Sequence, residues 1–530
     1  MKISTLHRKE SGLFSQQQLD MVYDQNRFKS YLSNPFSIDA FRKQLEVKSN
    51  SFTAEMRHKL VETLVDQYEG VPMSELTAKN IELLKNNDTF TIVTGHQLVA
   101  FTGPLYFIYK IAHVVKMCQE LKETYPNQHF VPVFWMATED HDYEEIKSFH
   151  LFNRTISWET EQSGPVGRFE MKDWEPVFEQ LKALYQNHPD SELFGLIDAF
   201  KGENYAQAFR QLVNHLVADF GVVIVDGDHP SFKASFLPYM LQEVETQFSF
   251  KAISDTTEKL TQEGGKAQII PREINLFYIE NGLRERLNPL EDGSIEINGK
   301  GIYSKAEILK WMNDRPADFS PNVSLRPLFQ EVILPNLCYV GGAGEINYWL
   351  QLKGVFDATD IPFPMIQTRN SVIWIDKNSS EKMTKLNLTV LDMFKELHLL
   401  HKEYLAENAT DEVDFTDLDA QFILLKNQLV ASTIAVDPAL ESFAIAESVR
   451  MEKQVTQIKD RLYKTVKGKH DGNLKAITQV KEKLFPAGGL QERYTNFFQL
   501  NSNGNYSETL KLIVENMQPF NGDLLLFEEN

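Results

Sequence analysis

The chain has 530 residues, of which 42% are apolar and 11% aromatic, so it can bury a sizeable core in more than one domain. Its formal net charge of −20 argues against broad electrostatic binding to nucleic acid, since such binding needs basic patches. Cys118 and Cys338 form neither a zinc-like cluster nor a disulfide framework, which suits a reducing compartment. Without a signal core or a run of about eighteen apolar residues, we expect a soluble cytoplasmic protein with no membrane partner.

Residues 1–88 are predicted to be mostly helical. Apolar residues recur at helical spacing at Met56, Leu60, Leu64 and Tyr68. We expect this segment to pack against the core sheet without contributing chemistry.

The stretch from 89 to 150 predicts a strand, a polar loop, a helix and a second strand. The first strand is predicted at 90–93 and the second at 130–136, because both are short apolar runs. A loop at 94–97 follows the first, and Thr102, Gly103 and Pro104 are helix start signals. Polar residues end both strands, where open α/β sheets bind ligands.

Further elements extend this pattern into an α/β fold with a Rossmann-like parallel-sheet core. Strands are predicted at 221–225, 338–340 and 363–366, and helices at 231–265 and 346–356. Segments near 150–200 and 230–335 read as insertions, the latter with short strand-sized pieces rich in Arg and Glu at 267–298. We assign residues 1–376 to this catalytic core, including the N-terminal helical segment.

Residues 377–530 are predicted to form a separate, mainly α-helical region. Apolar residues recur from 439 to 466 and again from 474 to 484, with a break at 467–472. This pattern predicts a helical hairpin whose narrow apolar seam needs a partner, either the other arm or another subunit.

The loop after the first strand is a candidate anion site, because free N–H groups at a helix N-terminus favour negative charge. His96 is a candidate catalytic residue that could contact a phosphate or balance developing charge. The candidate substrate-binding residues here are Thr94, Gly95, Gln97, Thr102, Gly103 and Tyr106. A plain structural turn is the alternative.

Four successive ionisable residues, Glu139, Asp140, His141 and Asp142, follow the second strand and are candidate catalytic groups. One of them could remove a proton from an attacking amine. Alternatively, they form a solvated strand end before an acidic helix start. Their adjacent spacing is not a recognised zinc arrangement, so no tightly bound metal is predicted.

Other candidates lie farther along the chain. Arg326 could clamp a carboxylate or phosphate, or form a surface salt bridge. The candidate substrate contacts are Asp226, Gly341, Gly342, Glu345 and Asn347, although the glycines also suit a close strand-to-helix crossing. Gly489, Gln491 and Arg493 could border a nucleotide pocket, or form a helix end without a ligand.

Five motifs carry a resemblance to a known family. They are TGHQLVAFTGPLYFIYK (94–110), VPVFWMATEDHDYEE (131–145), SPNVSLRPLFQ (320–330), NLCYVGGAGEINYWLQLKGVF (336–356) and LFPAGGLQER (484–493). In this order they resemble the cysteine-adding enzymes of bacillithiol biosynthesis, the BshC family. One departure is His96, where members more often carry Gln, so the resemblance does not imply a catalytic imidazole there.

The resemblance implies that cysteine is joined through its carboxyl group to the amino group of glucosaminyl-malate. Because an amide forms in water only from an activated carboxylate, ATP with Mg²⁺ is the simplest activating cofactor. The resemblance also implies a homodimer formed through the C-terminal coiled coil. A dimeric nucleotide- or metabolite-binding scaffold that supports another cysteine-transferring enzyme remains an alternative, as does a synthetase acting on another small acid.

Overall fold

The computed structural model describes residues 1–280, 282–408 and 415–529. Two compact units are present. One contains residues 3–373 and 490–526, and the other contains residues 1–2, 374–489 and 527–530. The segment 490–526 therefore belongs to the same unit as the sheet core, although it follows the helical region in sequence.

The helices of the described residues are α1 Gln16–Tyr23, α2 Ala40–Ser51, α3 Ala54–Gln67, α4 Glu75–Leu83, α5 Tyr106–Thr124, α6 Tyr143–Ile146, α7 Glu175–Leu184, α8 Glu192–Ala199, α9 Tyr205–Val217, α10 Pro230–Thr246, α11 Phe248–Gln262, α12 Lys305–Asp314, α13 Arg326–Ile333, α14 Ala343–Asp357, α15 Lys377–Lys385, α16 Leu397–Asn408, α17 Thr416–Val436, α18 Glu441–Lys469, α19 Asp471–Leu484 and α20 Ser507–Asn516. The strands are β1 Lys2–Leu6, β2 Thr89–His96, β3 His129–Met136, β4 Ser148–Leu151, β5 Arg154–Ser157, β6 Val223–Asp226, β7 Leu276–Glu280, β8 Leu283–Pro289, β9 Ser294–Ile297, β10 Gly301–Ser304, β11 Phe319–Pro321, β12 Asn336–Gly341, β13 Met365–Thr368, β14 Val372–Ile375 and β15 Leu524–Glu528.

The central sheet has the strand order β13-β12-β2-β3-β6, and its strands pair in parallel. The strand of this sheet that comes first in sequence, β2, lies in the middle, so the order reverses between β2 and β12. Such a reversal opens a crevice at the carboxyl ends of the strands. Register places His96 opposite Met136 and Met136 opposite Asp226, so these strand ends meet at one edge. The predicted Rossmann-like core is confirmed.

The core sheet is buried because helices cover it, as expected for strands that are apolar on both faces. On one side, Phe41 of α2 joins Ile92 of β2, Val114 of α5 and Cys338 of β12 in a single buried cluster. The N-terminal helices thus complete the core.

One predicted boundary was wrong, because β2 extends to His96 and the turn begins only at Gln97. Thr94 pairs with Phe134 and Gly95 pairs with Trp135 of β3. The Thr94 hydroxyl also donates a hydrogen bond of 2.7 Å to the Val340 carbonyl of β12. Pairing on both sides therefore keeps these polar residues in the strand.

The inserted segments form small antiparallel sheets. The segment around 230–335 contains α10, α11 and the strand order β10-β9-β8-β7-β11, and the earlier segment contains the pair β4-β5. The predicted strand-sized pieces at 267–298 are confirmed. We call the strands β7 and β8 the inserted ribbon.

The helical unit differs from the predicted hairpin. The packing partner of α18 is α17, and Lys426 to Glu452 and Lys459 to Asp419 are ion pairs between them. Only His470 separates α18 from α19, so the predicted hairpin turn at 467–472 was wrong. The turn lies at 437–440 instead, where Pro438 cannot extend α17. No helix in the described part of the chain is both long and apolar enough to cross a membrane.

Candidate functional site

A cavity of about 850 Å³ lies at the carboxyl edge of the central sheet. Residues that follow β2, β3, β12 and β13 line it, together with the inserted ribbon and the start of α13. We call this cavity the edge pocket. Its charged lining residues are the cations Lys110, Arg272, Arg284, Arg286, Arg326, Arg369 and Arg493 and the carboxylates Glu139, Asp140, Glu145 and Glu345. Seven cations face four carboxylates, so the edge pocket is locally basic in an acidic protein.

A buried ion pair lies at the point where the strand order reverses. Lys110 of α5 donates to Glu345 of α14 at 2.5 Å and to the Gly95 carbonyl at 2.8 Å. Glu345 also accepts from the Tyr339 hydroxyl at 2.9 Å and from the Gly342 N–H at 2.8 Å. Burial alone would raise the pKa of Glu345, but the Lys110 ammonium and these donors lower it to about 2. The pair therefore stays ionised and ties α5 to α14.

His96 lies at the end of β2 with both ring nitrogens engaged. Nδ1 lies 3.0 Å from the Gln97 carbonyl and Nε2 lies 2.9 Å from the Tyr106 hydroxyl. A carbonyl can only accept, so Nδ1 carries the proton and Nε2 accepts from Tyr106. Burial and the Lys110 charge lower the pKa of His96 to about 4, which keeps the ring neutral near pH 7.

The loop between β2 and α5 has an unusual backbone that Asn496 holds. Phe101, Thr102 and Gly103 have φ angles of 44°, 71° and 54°. The Asn496 side-chain amide donates to the Phe101 carbonyl at 3.0 Å and to the Gly103 carbonyl at 2.8 Å. Because non-glycine residues in this region are strained by about 1–3 kcal/mol each, such a loop needs external support. The segment 490–526 supplies it.

Only some of the loop residues that were predicted to bind substrate reach the edge pocket. Thr102 and Gly103 are buried within the supported turn and do not line the edge pocket. A Cβ on Gly103 would lie 2.7 Å from the Val99 Cβ, so glycine is needed there for space as well as for φ. Gly95, His96, Gln97 and Tyr106 do line the pocket, whereas Thr94 is held within the sheet.

The four ionisable residues after β3 separate into three environments. Glu139 and Asp140 line the edge pocket. The side chain of His141 is 49% exposed, and its Nδ1 accepts from Arg284 at 2.7 Å. Asp142 caps α6 by accepting from the Glu145 N–H at 3.3 Å. Within the described residues, no group of three or more His, Cys, Asp or Glu side chains is arranged to hold a metal ion.

Glu139 is the more buried carboxylate of this group and pairs with Lys233 of α10. Lys233 also donates to the Phe319 carbonyl at 2.6 Å and is itself fully buried. Burial raises the pKa of Glu139, and the Lys233 ammonium opposes that shift. The Asp228 carboxylate raises this pKa further and the Arg284 guanidinium lowers it, so the proton affinity of Glu139 depends on several neighbouring charges, of which Lys233 is the largest.

Asp140, in contrast, is held by hydrogen bonds from neutral donors. Its Oδ2 accepts from the Gln97 amide at 2.8 Å, and the same amide donates to Glu145 at 2.9 Å. Its Oδ1 accepts from the backbone N–H of His141 at 2.7 Å. Within the described residues Asp140 forms no ion pair with a lysine or arginine, and His141 Nδ1 lies 3.8 Å from its Oδ1, so the carboxylate is oriented and can receive an amine.

Arg326 begins α13 and stands between aromatic rings of the pocket wall. Its guanidinium carbon lies 5.8 Å from the Trp135 ring centroid and 5.3 Å from the Tyr339 ring centroid. Among the cations of the inserted ribbon, Arg284 lies 3.8 Å from the Phe277 ring centroid. In the sequence, the cations of the inserted ribbon were indicated only by the short strand-sized pieces rich in Arg and Glu at 267–298.

Arg369 is a lining cation that sequence reasoning missed. It follows β13 and forms a bidentate pair with Glu492 at 2.8 and 2.9 Å. Of the three predicted nucleotide contacts, Arg493 lines the edge pocket, whereas Gln491 is buried and Gly489 is exposed outside it. Lys110, also missed, ends the motif TGHQLVAFTGPLYFIYK, so its position was visible but its partner was not.

The remaining predicted residues take separate positions. Asp226 lines a second cavity of about 860 Å³ with Arg168 and Asp228, not the edge pocket. Gly342 lines the edge pocket and Gly341 lies within β12. Asn347 is buried on α14 and does not line the pocket.

Comparison with protein families gives matches along the whole chain. The family model described as Bacillithiol biosynthesis BshC, N-terminal Rossmann-like domain, matches residues 1–370. The model described as Bacillithiol biosynthesis BshC, C-terminal coiled-coil domain, matches residues 372–529.

Curated relatives agree with these matches. A protein of Flavobacterium johnsoniae named "Putative cysteine ligase BshC" is 40% identical over 92% of this chain and 92% of its own length. Proteins with the same name from Flavobacterium psychrophilum and Christiangramia forsetii are 39% and 34% identical and cover 94% and 92% of this chain and of their own lengths.

Proposed function

We propose, from the premise that this chain belongs to the BshC family of bacillithiol biosynthesis, that its edge pocket joins the carboxyl group of cysteine to the amino group of glucosaminyl-malate. The observation that supports this is the charge of the pocket, where seven cations gather in a protein of net charge −20. Malate carries two carboxylates and ATP carries a triphosphate, so both substrates need local positive charge.

Amide formation starts with activation of the cysteine carboxylate. Its oxygen attacks the α-phosphorus of ATP, and pyrophosphate leaves to give an acyl adenylate. Attack on the γ-phosphorus would give an acyl phosphate and ADP. The amine of glucosaminyl-malate then attacks the acyl carbon, and AMP or phosphate leaves with the carboxyl oxygen. Mg²⁺ enters with the nucleotide, whose phosphates it neutralises.

The attacking amine must lose a proton, and the residues after β3 are placed to accept it. Asp140 is oriented by Gln97 and exposed to the pocket, so it can bind the ammonium form of the substrate. Glu139, with its raised pKa, can then hold the proton that is released. His141, which accepts from Arg284, lies at the pocket margin and takes no proton in this scheme.

The proposed activity is tested with purified protein, cysteine, glucosaminyl-malate and ATP·Mg²⁺. We expect a thiol product one water lighter than the sum of the two substrates by mass spectrometry. Nucleotide chromatography then distinguishes the routes, because AMP indicates an adenylate and ADP an acyl phosphate. Absence of product under conditions where the nucleotide binds would contradict the ligase and favour the scaffold alternative.

We also propose that the helical unit forms a homodimer through α17 and α18. The 29-residue helix α18 exposes apolar side chains that α17 does not cover, among them Val449 at 57% and Ile458 at 61%. Leu424 of α17 is likewise 69% exposed. Sedimentation of Ile458→Glu should give a monomer where the natural chain gives a dimer, whereas an unchanged mass would contradict this interface.

A further inference from the structure

A buried chain of polar side chains connects the N-terminal helix α2 to the edge pocket. Lys48 of α2 donates to Glu331 Oε2 at 2.9 Å, and its side chain is 2% exposed. Gln330 donates from Nε2 to Glu331 Oε1 at 3.0 Å. Arg326 donates from Nη1 to Gln330 Oε1 at 3.1 Å. We call Lys48, Glu331 and Gln330 the relay.

Only one orientation of the Gln330 side-chain amide satisfies the hydrogen bonds of the relay. Glu331 accepts only and Arg326 donates only, so the Gln330 amide must turn its NH₂ toward Glu331 and its oxygen toward Arg326. The reverse orientation would place donor against donor and acceptor against acceptor. Asn336 donates to the same Glu331 oxygen at 2.6 Å and strengthens this arrangement. The position of Arg326 Nη1 is therefore set by groups that lie outside the pocket.

The other end of Arg326 is left for a ligand. Its Nη2 is buried and has no hydrogen-bond partner among the described residues, although the Tyr348 hydroxyl interacts with the same guanidinium and also lines the pocket. A buried guanidinium N–H without an acceptor is costly, so such a group is expected to have one when the site is filled. The neighbouring carboxylate, Glu345, already accepts from Lys110, Tyr339 and Gly342.

We propose that the relay is a positioning device that holds Arg326 as the anion clamp of the edge pocket, with Nη2 reserved for a carboxylate or phosphate oxygen of the substrate. This inference rests on the proposed function for the identity of the anion. It also gives the N-terminal segment, which the sequence analysis expected to be without chemistry, an indirect role through Lys48. Gln330 and Lys48 are positioning residues, and only Arg326 contacts the ligand.

The proposal is tested by measuring the affinity of the full chain for two probes by calorimetry. L-malate is the probe for a carboxylate, and ATP is the probe for a phosphate. Arg326→Lys keeps the positive charge but removes the two parallel N–H donors of the guanidinium. Gln330→Met removes the amide oxygen that accepts from Arg326 Nη1, with little change in side-chain volume. The control is Gln44→Met, because Gln44 on α2 is equally buried and donates to the Phe363 carbonyl, away from the relay. Thermal melting of each variant measures the structural cost separately.

We expect Arg326→Lys and Gln330→Met each to weaken the same single probe about tenfold, as loss of one charge-assisted hydrogen bond predicts. Gln44→Met should leave both affinities unchanged at a comparable loss of melting temperature. Weakened malate binding identifies a carboxylate, and weakened ATP binding identifies a phosphate. If Gln330→Met does not fold, Gln330→Leu replaces it, since leucine also removes the acceptor without placing a second carboxylate beside Glu331.

Two results would overturn the proposal. One is unchanged binding of both probes by Arg326→Lys, or by Gln330→Met, or by its replacement Gln330→Leu. The other is weakening of both probes by Gln330→Met and by the control Gln44→Met alike, in proportion to their losses of melting temperature, because that would indicate a purely structural role. Failure of the ligase assay with Arg326-dependent binding intact would reject the proposed ligation and leave the relay standing.

Discussion

The ends of β2 and β3 lie side by side at the same sheet edge, yet they are built differently. At the end of β2, His96, Gly95 and the following loop are bonded to partners within the protein, including Lys110 and Asn496. At the end of β3, Asp140 accepts from the Gln97 amide and the His141 backbone N–H, and its carboxylate faces the pocket. In the proposed function, the β2 end is a rigid frame and the β3 end carries the groups that react. Substitutions at the two ends should therefore have separable effects.

The largest effect on the frame is expected from Lys110→Met. This change leaves Glu345, whose side chain is 27% exposed, without its buried cation, and breaking such a pair costs up to about 3–5 kcal/mol. Chemical denaturation should show a free energy of unfolding lower by that amount. Lys116→Met is the matched control, since Lys116 lies on the same helix in a half-buried pair with Glu120 at 4.0 Å and should cost at most about 1 kcal/mol.

Asn496→Ala should have the next largest effect. It removes the two hydrogen bonds that hold the strained 101–103 turn, and the buried carbonyls of Phe101 and Gly103 lose their donor. We expect a loss of about 2–3 kcal/mol in the free energy of unfolding. Asn503→Ala, at an exposed asparagine of the same segment, should change it by less than about 0.5 kcal/mol. Equal losses of stability in the two variants would contradict the view that Asn496 holds a rigid turn at the end of β2.

A further effect, seen only at acidic pH, is a pH dependence of stability from His96. Its pKa is about 4 in the folded chain against an ordinary value of 6.5, so the unfolded chain takes up the proton first as pH falls. Stability should therefore decrease from pH 6.5 to about 4 because of this group. His96→Gln should remove that part of the slope in pH-dependent denaturation, and an unchanged slope would contradict a buried neutral imidazole.

Glu345 should govern a lower pH range. Its pKa is lowered to about 2 from 4.5, so the stability it provides is present above pH 4.5 and lost as pH falls toward 2. The His96→Gln variant should still lose this part of its stability as pH falls from 4.5 toward 2.

Much of the frame could be predicted from sequence because its signals are local. The apolar runs of β2, β3 and β12 and the glycine-rich start of α14 lie within short windows. The end of β2 could not be predicted, because Thr94 and Gly95 are polar or small and are held in the strand only by pairing with β3 and β12.

The cations of the site were harder to find for the same reason. Lys233 reaches Glu139 across 94 positions and Lys110 reaches Glu345 across 235, so neither pair has a local pattern. The turn of the helical unit was misplaced because Gly468 and Gly472 are weaker helix breakers than Pro438. Prediction therefore succeeded for elements and failed where distant residues decide a contact.

The measurement that tests the central claim most directly compares turnover of Asp140→Asn and Asp142→Asn in the ligation assay. Asp140 faces the edge pocket, whereas Asp142 caps α6, and Asn is itself a good capping residue. We expect Asp140→Asn to lower kcat about a hundredfold, because the amine loses the carboxylate that binds and orients it, with an unchanged melting temperature. Asp142→Asn should keep natural turnover. Equal turnover in the two variants would contradict the assignment of the chemistry to the end of β3.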